Sequence, residues 1–149
     1  LKLIEAGQLV GVFPEGLRGV GKLYRERYRL SNLGRGGFVR LARKAGIPMI
    51  PVAIVGAEEI HPVVPKVTAL AHPLGLPYIP ITPTFPWLGP LGLLPLPTKW
   101  TIRIGAPIQP LPDRADDERG TLDMAEQVRH TIETMIAEML ATRRSIFFG

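Results

Sequence analysis

Cysteine is absent from this 149-residue chain, which excludes disulfides and thiolate metal sites and leaves the redox compartment unreadable. Histidine is scarce: His61, His72 and His130 stand far apart with no ligand spacing among them, so no metal centre and no resident cofactor are expected. No basic stretch followed by a long apolar core opens the chain, so its first residues do not read as a secretory signal. Charge is missing from Val67 to Thr98, 32 residues without Asp, Glu, Lys or Arg. That alone suggests a membrane span, but eight prolines lie between Pro73 and Pro97, and a continuous spanning helix does not tolerate them. The segment 67–98 reads instead as an apolar, Pro-rich loop. Its Tyr78, Phe85 and Trp87 either pack over the core or lie at a lipid interface.

What is present fits one domain, long enough to bury about two-thirds of its unfolded surface. The formal net charge of +5 is unevenly spread. Nine basic residues (Arg18, Lys22, Arg25, Arg27, Arg29, Arg35, Arg40, Arg43, Lys44) face the single acid Glu26 between Arg18 and Lys44. From Val67 onward, seven basic residues meet eight acids, so the positive field is local. Such a patch suits nucleic acid, anionic lipid headgroups or a phosphorylated substrate, or is simply a solvated face. Nucleic acid is set aside as a partner, because aromatics in the patch are few and no recognition motif accompanies them.

The chain opens in what looks like the last turns of a helix, stopped at Gly7, so the start of the domain is expected upstream. Leu9 to Phe13 is short, continuous and apolar, the pattern of a buried strand. A basic segment from Leu17 to Leu33 lacks a clean period and reads as a loop, with or without a short helix. Phe38, Leu41, Ala42 and Ala45 have helical spacing, with Gly46 as the stop. Ile47 to Val55 is a second apolar strand with its prolines at the entry, and strand, helix, strand predicts a parallel crossover. Trp100 to Ile104 alternates like a half-exposed edge strand. A last helix over about 121–142 places Ala125, Val128, Ile132, Met135, Ile136 and Met139 on one face. The expected fold is α/β, with a mixed, mostly parallel sheet flanked by helices.

Phe13-Pro14-Glu15-Gly16-Leu17-Arg18 concentrates the chemistry. Pro14 cannot donate to a sheet ladder, and Gly16 can adopt a backbone conformation closed to other residues, so the chain is expected to turn there. Glu15 and Arg18 are then presented together at a sheet rim, where ligands of α/β folds gather. The arginine fork suits phosphate. Lys22 is a further candidate for the same anion. So is Arg35, placed before a helix N-terminus, although the glycines around it also permit close packing alone.

These blocks resemble the glycerolipid acyltransferase family. Phe13 to Arg18 is similar to that family's Phe-Pro-Glu-Gly-Thr-Arg block, and Ile47-Pro48-Met49-Ile50-Pro51-Val52 to its Val-Pro-Ile-Val-Pro-Val block, in the same order and spacing. Gly34-Arg35-Gly36-Gly37-Phe38 and Trp100 to Ile108 add to the likeness. The resemblance implies that the chain is the C-terminal portion of a single acyltransferase domain. It implies transfer of a fatty acyl group from acyl-CoA or acyl carrier protein to a hydroxyl of a glycerol phosphate or lysophospholipid. Acceptor phosphate would be bound by Arg18, with Glu15 and Gly16 shaping the turn. An anionic membrane surface would be the partner, and the location the cytoplasmic face of a membrane, peripherally held. The family's catalytic His-x-x-x-x-Asp is not in this chain: the fourteen residues before Glu15 hold neither His nor Asp, and the three histidines have Lys66, Pro77 and Met135 at the fifth position beyond them. The chain by itself is expected to be inactive, with no catalytic residue of its own. Leu17 also stands where the family commonly has threonine. The alternative is a non-catalytic lipid-binding or interaction module at a membrane surface.

Overall fold

A computed structural model describes all residues except 17, 18, 20, 21, 31, 32, 34, 35, 68–78, 112–116 and 148–149. Among the described residues, two α-helices, four strands and a last α-helix follow in order: α1 (Lys2–Glu5), α2 (Gly37–Ala45), β1 (Val52–Val55), β2 (Lys66–Val67), β3 (Ile79–Pro80), β4 (Thr101–Ile104) and α3 (Glu118–Thr142). Single 3-10 turns lie at Tyr24–Glu26, Ala57–Glu59 and Gly89–Leu93.

The class is α/β, but the sheet pairings described are antiparallel. β1 runs against β4 with Val52 opposite Ile104 and Val55 opposite Thr101, a ladder prolonged by the bridge between Met49 and Ile108. β2 runs against β3 as a separate pair. The expected parallel crossover does not form, because Leu9 to Phe13 joins no ladder among the described residues. Leu9 is 97% exposed and Phe13 83%. An apolar run marks a buried strand only when neighbouring strands flank it, and here β4 occupies one edge of β1 while residues 9–13 stay in water.

α3 organises the core. Asp117 caps it, accepting a hydrogen bond from the Gly120 N–H at 2.9 Å, so the helix begins at Glu118, earlier than the apolar stripe alone indicates. Met135, Ile136 and Met139 pack on the inward residues of β1, Ala53 and Val55. The preceding turns of α3 present Met124 and Ala125 to Val39 of α2. Val39 and Val55 are wholly buried, each worth about 1.5–3 kcal/mol in removed apolar surface. α2 is bounded by left-handed glycines, Gly36 and Gly46. At Gly36 a Cβ would stand 2.7 Å from Thr121 Cγ2, so this cap also permits the close approach of α2 to α3. Buried Arg43 locks the two helices, donating to Asp117 Oδ2 at 2.7 Å, Thr121 Oγ1 at 2.9 Å and the Leu111 carbonyl at 3.2 Å.

The other faces of the strands are less covered. Val52, Ile54, Ile102 and Ile104 all expose much of their side chains. No helix among the described residues is long and apolar enough to cross a membrane.

Candidate functional site

The Phe-Pro-Glu-Gly block turns as its residues require. Gly16 adopts φ 56°, and its N–H bonds back to the Phe13 carbonyl at 3.0 Å. The turn does not end a strand, since none forms at residues 9–13. It instead delivers Glu15 toward the turn that follows β1. There Lys22 Nζ donates to Glu15 Oε2 at 3.0 Å, to Glu58 Oε1 at 3.3 Å and to the Arg29 carbonyl at 2.7 Å. An ammonium has three N–H donors, and these three acceptors match them. Lys22, expected as an anion contact, is thus a largely buried cation between two carboxylates. Gly19 leaves room for the assembly: a Cβ there would meet Glu15 Oε2 at 2.8 Å and Glu15 Cβ at 2.9 Å. Arg18 and Arg35 lie outside the described residues.

Glu58 also accepts the Tyr28 N–H, and so ties the basic segment to the same corner. Tyr28 takes φ 66°, unusual for a residue with a side chain, and this turns its hydroxyl toward Glu59. The hydroxyl donates to Glu59 Oε1 and accepts from Arg143 Nη1 at 2.9 Å. Arg143 Nη2 completes the triad on Glu59 Oε2. Its remaining contacts are the Ser145, Lys99 and Ile146 carbonyls at 3.1, 3.0 and 3.3 Å. Burial holds the Tyr28 hydroxyl well above its ordinary pKa, helped by its hydrogen bond to Glu59 and by that carboxylate's charge. Consecutive acids in one 3-10 turn therefore face opposite partners, Glu58 toward Lys22 and Glu59 toward Arg143.

Sequence reading missed Tyr28, Glu58, Glu59 and Arg143. A weak signal existed: Glu58-Glu59 lies just past an apolar strand, separated from it by Gly56-Ala57. The basic patch is also less available than its composition suggests. Arg43 is buried, Lys22 is enclosed, and the Arg27 guanidinium stacks 4.2 Å over the Tyr24 ring. His61 is exposed. Among the described residues, no group of three or more His, Asp or Glu could hold a metal ion.

The family model described as Acyltransferase matches residues 1–55. Residues 1–55 are thus similar to the acyltransferase family. The acyltransferase match thus runs through the Phe-Pro-Glu-Gly turn, the basic segment and α2, and ends with the last residue of β1. Two of the partners that fix its corner, Glu58 and Arg143, lie beyond the matched residues.

The whole chain is similar to longer mycobacterial proteins. An uncharacterized protein of Mycobacterium tuberculosis (strain H37Rv) is 48% identical over 151 residues, covering 99% of this chain and 42% of the relative. An uncharacterized protein of Mycobacterium leprae (strain TN) is also 48% identical over 151 residues, covering 99% of this chain and 41% of the relative. The chain therefore spans less than half the length of these relatives. No solved structure matches it.

Proposed function

We propose that this chain supplies the acceptor-phosphate corner of an acyltransferase. The enzyme would move a fatty acyl group from acyl-CoA or acyl carrier protein to a hydroxyl of a glycerol phosphate or lysophospholipid. The observation carrying this reading is the Glu15–Lys22–Glu58 assembly, which holds the carboxylate of the Phe-Pro-Glu-Gly block in one place. Arg18, three residues further along the chain, is the phosphate ligand, a role its guanidinium fork suits chemically. Glu15 orients that fork or a glycerol hydroxyl, Gly16 shapes the turn, and Arg35 adds positive charge ahead of α2. Lys22 serves from beneath, as the cation that keeps Glu15 placed.

In the reaction, the acceptor oxygen attacks the thioester carbonyl, the C–O bond forms and the C–S bond breaks. The hydroxyl proton passes to a general base and from there to the departing thiolate. In the family, His-x-x-x-x-Asp provides that base. Residues 1–149 contain no such pair, so on their own they bind acceptor without turning it over.

Calorimetric titration of glycerol 3-phosphate and of a short-chain lysophosphatidate into the 149-residue chain tests the binding half. Losing a charged hydrogen-bonding group costs about 1.5–3 kcal/mol, so Arg18→Ala is expected to weaken acceptor binding roughly tenfold or more with an unchanged unfolding midpoint. Equal affinity in wild type and variant removes Arg18 from the site. The transfer half is tested in a longer chain that carries His-x-x-x-x-Asp ahead of Glu15, with labelled acyl-CoA. Acceptor binding without transfer in that chain favours the non-catalytic lipid-binding module instead.

A further inference from the structure

Arg27 is fixed at its backbone, at one end of its guanidinium and on its flat face, and is unmatched along one edge. Its backbone N–H and its Nη1 both donate to the Tyr24 carbonyl, at 3.3 and 3.0 Å. Its guanidinium carbon lies 4.2 Å from the centre of the Tyr24 ring and 5.6 Å from that of Tyr28, within the range where a ring attracts a cation. Both tyrosines are themselves anchored: the Tyr24 N–H donates to the Val63 carbonyl at 2.8 Å, and the Tyr28 hydroxyl donates to Glu59. Nε of Arg27 is buried and has no hydrogen-bond partner among the described residues. Nη2 makes no hydrogen bond among them either, and it keeps contact with water. Nε and Nη2 form the side edge of the guanidinium, where two parallel N–H groups match two oxygens of one anion. The acids that meet this segment are engaged elsewhere: Glu15 and Glu58 with Lys22, Glu59 with Arg143, and Glu26 with Arg25. A buried charged donor without an acceptor is costly, and native structures ordinarily give it a partner.

We infer that the Nε–Nη2 edge of Arg27 is a binding site for a phosphate monoester. The local field selects phosphate over carboxylate. Arg25 and Arg29 flank Arg27 in the chain, and both are exposed. A dianion gains more from such a field than a monoanion does. The Tyr24 ring and carbonyl hold the guanidinium in place before any ligand arrives, so little side-chain freedom is lost on binding. The inference stands apart from the acyl-transfer reading, since it requires neither turnover nor Arg18.

The test follows the Arg27 Nε–H signal in proton–nitrogen NMR spectra of the 149-residue chain, assigned by its loss in Arg27→Lys. Inorganic phosphate, glycerol 3-phosphate, free coenzyme A and acetate are titrated at constant ionic strength. Expected is a saturable shift with phosphate and with at least one of the two esters, and a much smaller one with acetate. Arg27→Lys keeps the charge but lacks the fork, and is expected to weaken ester binding roughly tenfold by calorimetry. Arg40→Ala removes one exposed charge of the same basic stretch from α2, and is expected to weaken it less than about twofold. No saturable shift, or ester binding that survives Arg27→Lys, overturns the inference. A shift with inorganic phosphate alone marks an adventitious ion only and overturns it as well. Equal losses in Arg27→Lys and Arg40→Ala reveal a diffuse basic field, which also overturns it. Ester binding lost in Arg18→Ala but kept in Arg27→Lys overturns this inference and leaves the acceptor-phosphate reading standing; the reverse result does the opposite.

Discussion

Arg143, one residue past the end of α3, and Glu59, in the turn after β1, form an ion pair with side chains only 9% and 4% exposed. Tyr28 lies across both of them, so three distant parts of the chain meet on one carboxylate. Removing one partner of a shielded pair leaves the other charged and unmatched. Arg143→Met is therefore expected to cost about 3–5 kcal/mol, measured by urea unfolding. Adding Glu59→Leu removes the stranded charge, and the double variant is expected to regain part of that loss. A single-variant cost below about 1 kcal/mol would show that water reaches the pair and screens it.

Tyr28 makes stability depend on alkaline pH. The unfolded chain releases the phenol proton near the ordinary value of 10.0, whereas the folded protein retains it to higher pH. Above that point the unfolded state binds fewer protons, so stability falls as pH rises. The contribution is complete below pH 10 and is lost above it, with a limiting slope of about 1.4 kcal/mol per pH unit. Tyr28→Phe lacks this term. The stability gap between wild type and Tyr28→Phe, measured by urea unfolding from pH 8 to pH 11.5, is expected to narrow on the alkaline side. A constant gap contradicts the assignment.

Gly19 and Gly37 make a matched pair of alanine substitutions. At Gly19 a Cβ meets the root of the Glu15 side chain, so Gly19→Ala is expected to destabilise by about 1–3 kcal/mol and to weaken acceptor binding with it. At Gly37, the first residue of α2, a Cβ meets nothing within 4 Å. Gly37→Ala is expected to stabilise by up to about 1 kcal/mol through helix propensity, leaving binding unchanged. Equal effects on binding at both positions would break the link between Gly19 and the Glu15 corner.

Helices and turn points were legible from local pattern. The stripe from Ala125 to Met139 sets the buried face of α3, and Gly7, Gly16 and Gly46 all take the positive φ that their turn positions imply. The sheet was less legible, because partner and direction are properties of chain segments far apart. Leu9 to Phe13 has the composition of a central strand and lies unpaired in water, while Ile102 and Ile104 alternate correctly yet expose much of their surface. The Phe-Pro-Glu-Gly turn declared itself, since proline, acid and glycine act on their own neighbours. Its supports did not. Glu58 lies 36 residues from Lys22 and Arg143 lies 115 from Tyr28, and no local period couples such positions.

The place of Arg143 sets a practical limit on shortening this protein. α3 ends at Thr142, and a chain trimmed there would keep each core methionine of the helix. It would also lose the guanidinium that ties Tyr28 and Glu59 together and holds the Lys99 and Ile146 carbonyls. Such a chain would retain its helical spectrum while the front corner around Tyr28 and Glu58 came loose. One anchor of the family-matched first third of the molecule, at Tyr28, is thus a side chain 115 residues away in sequence.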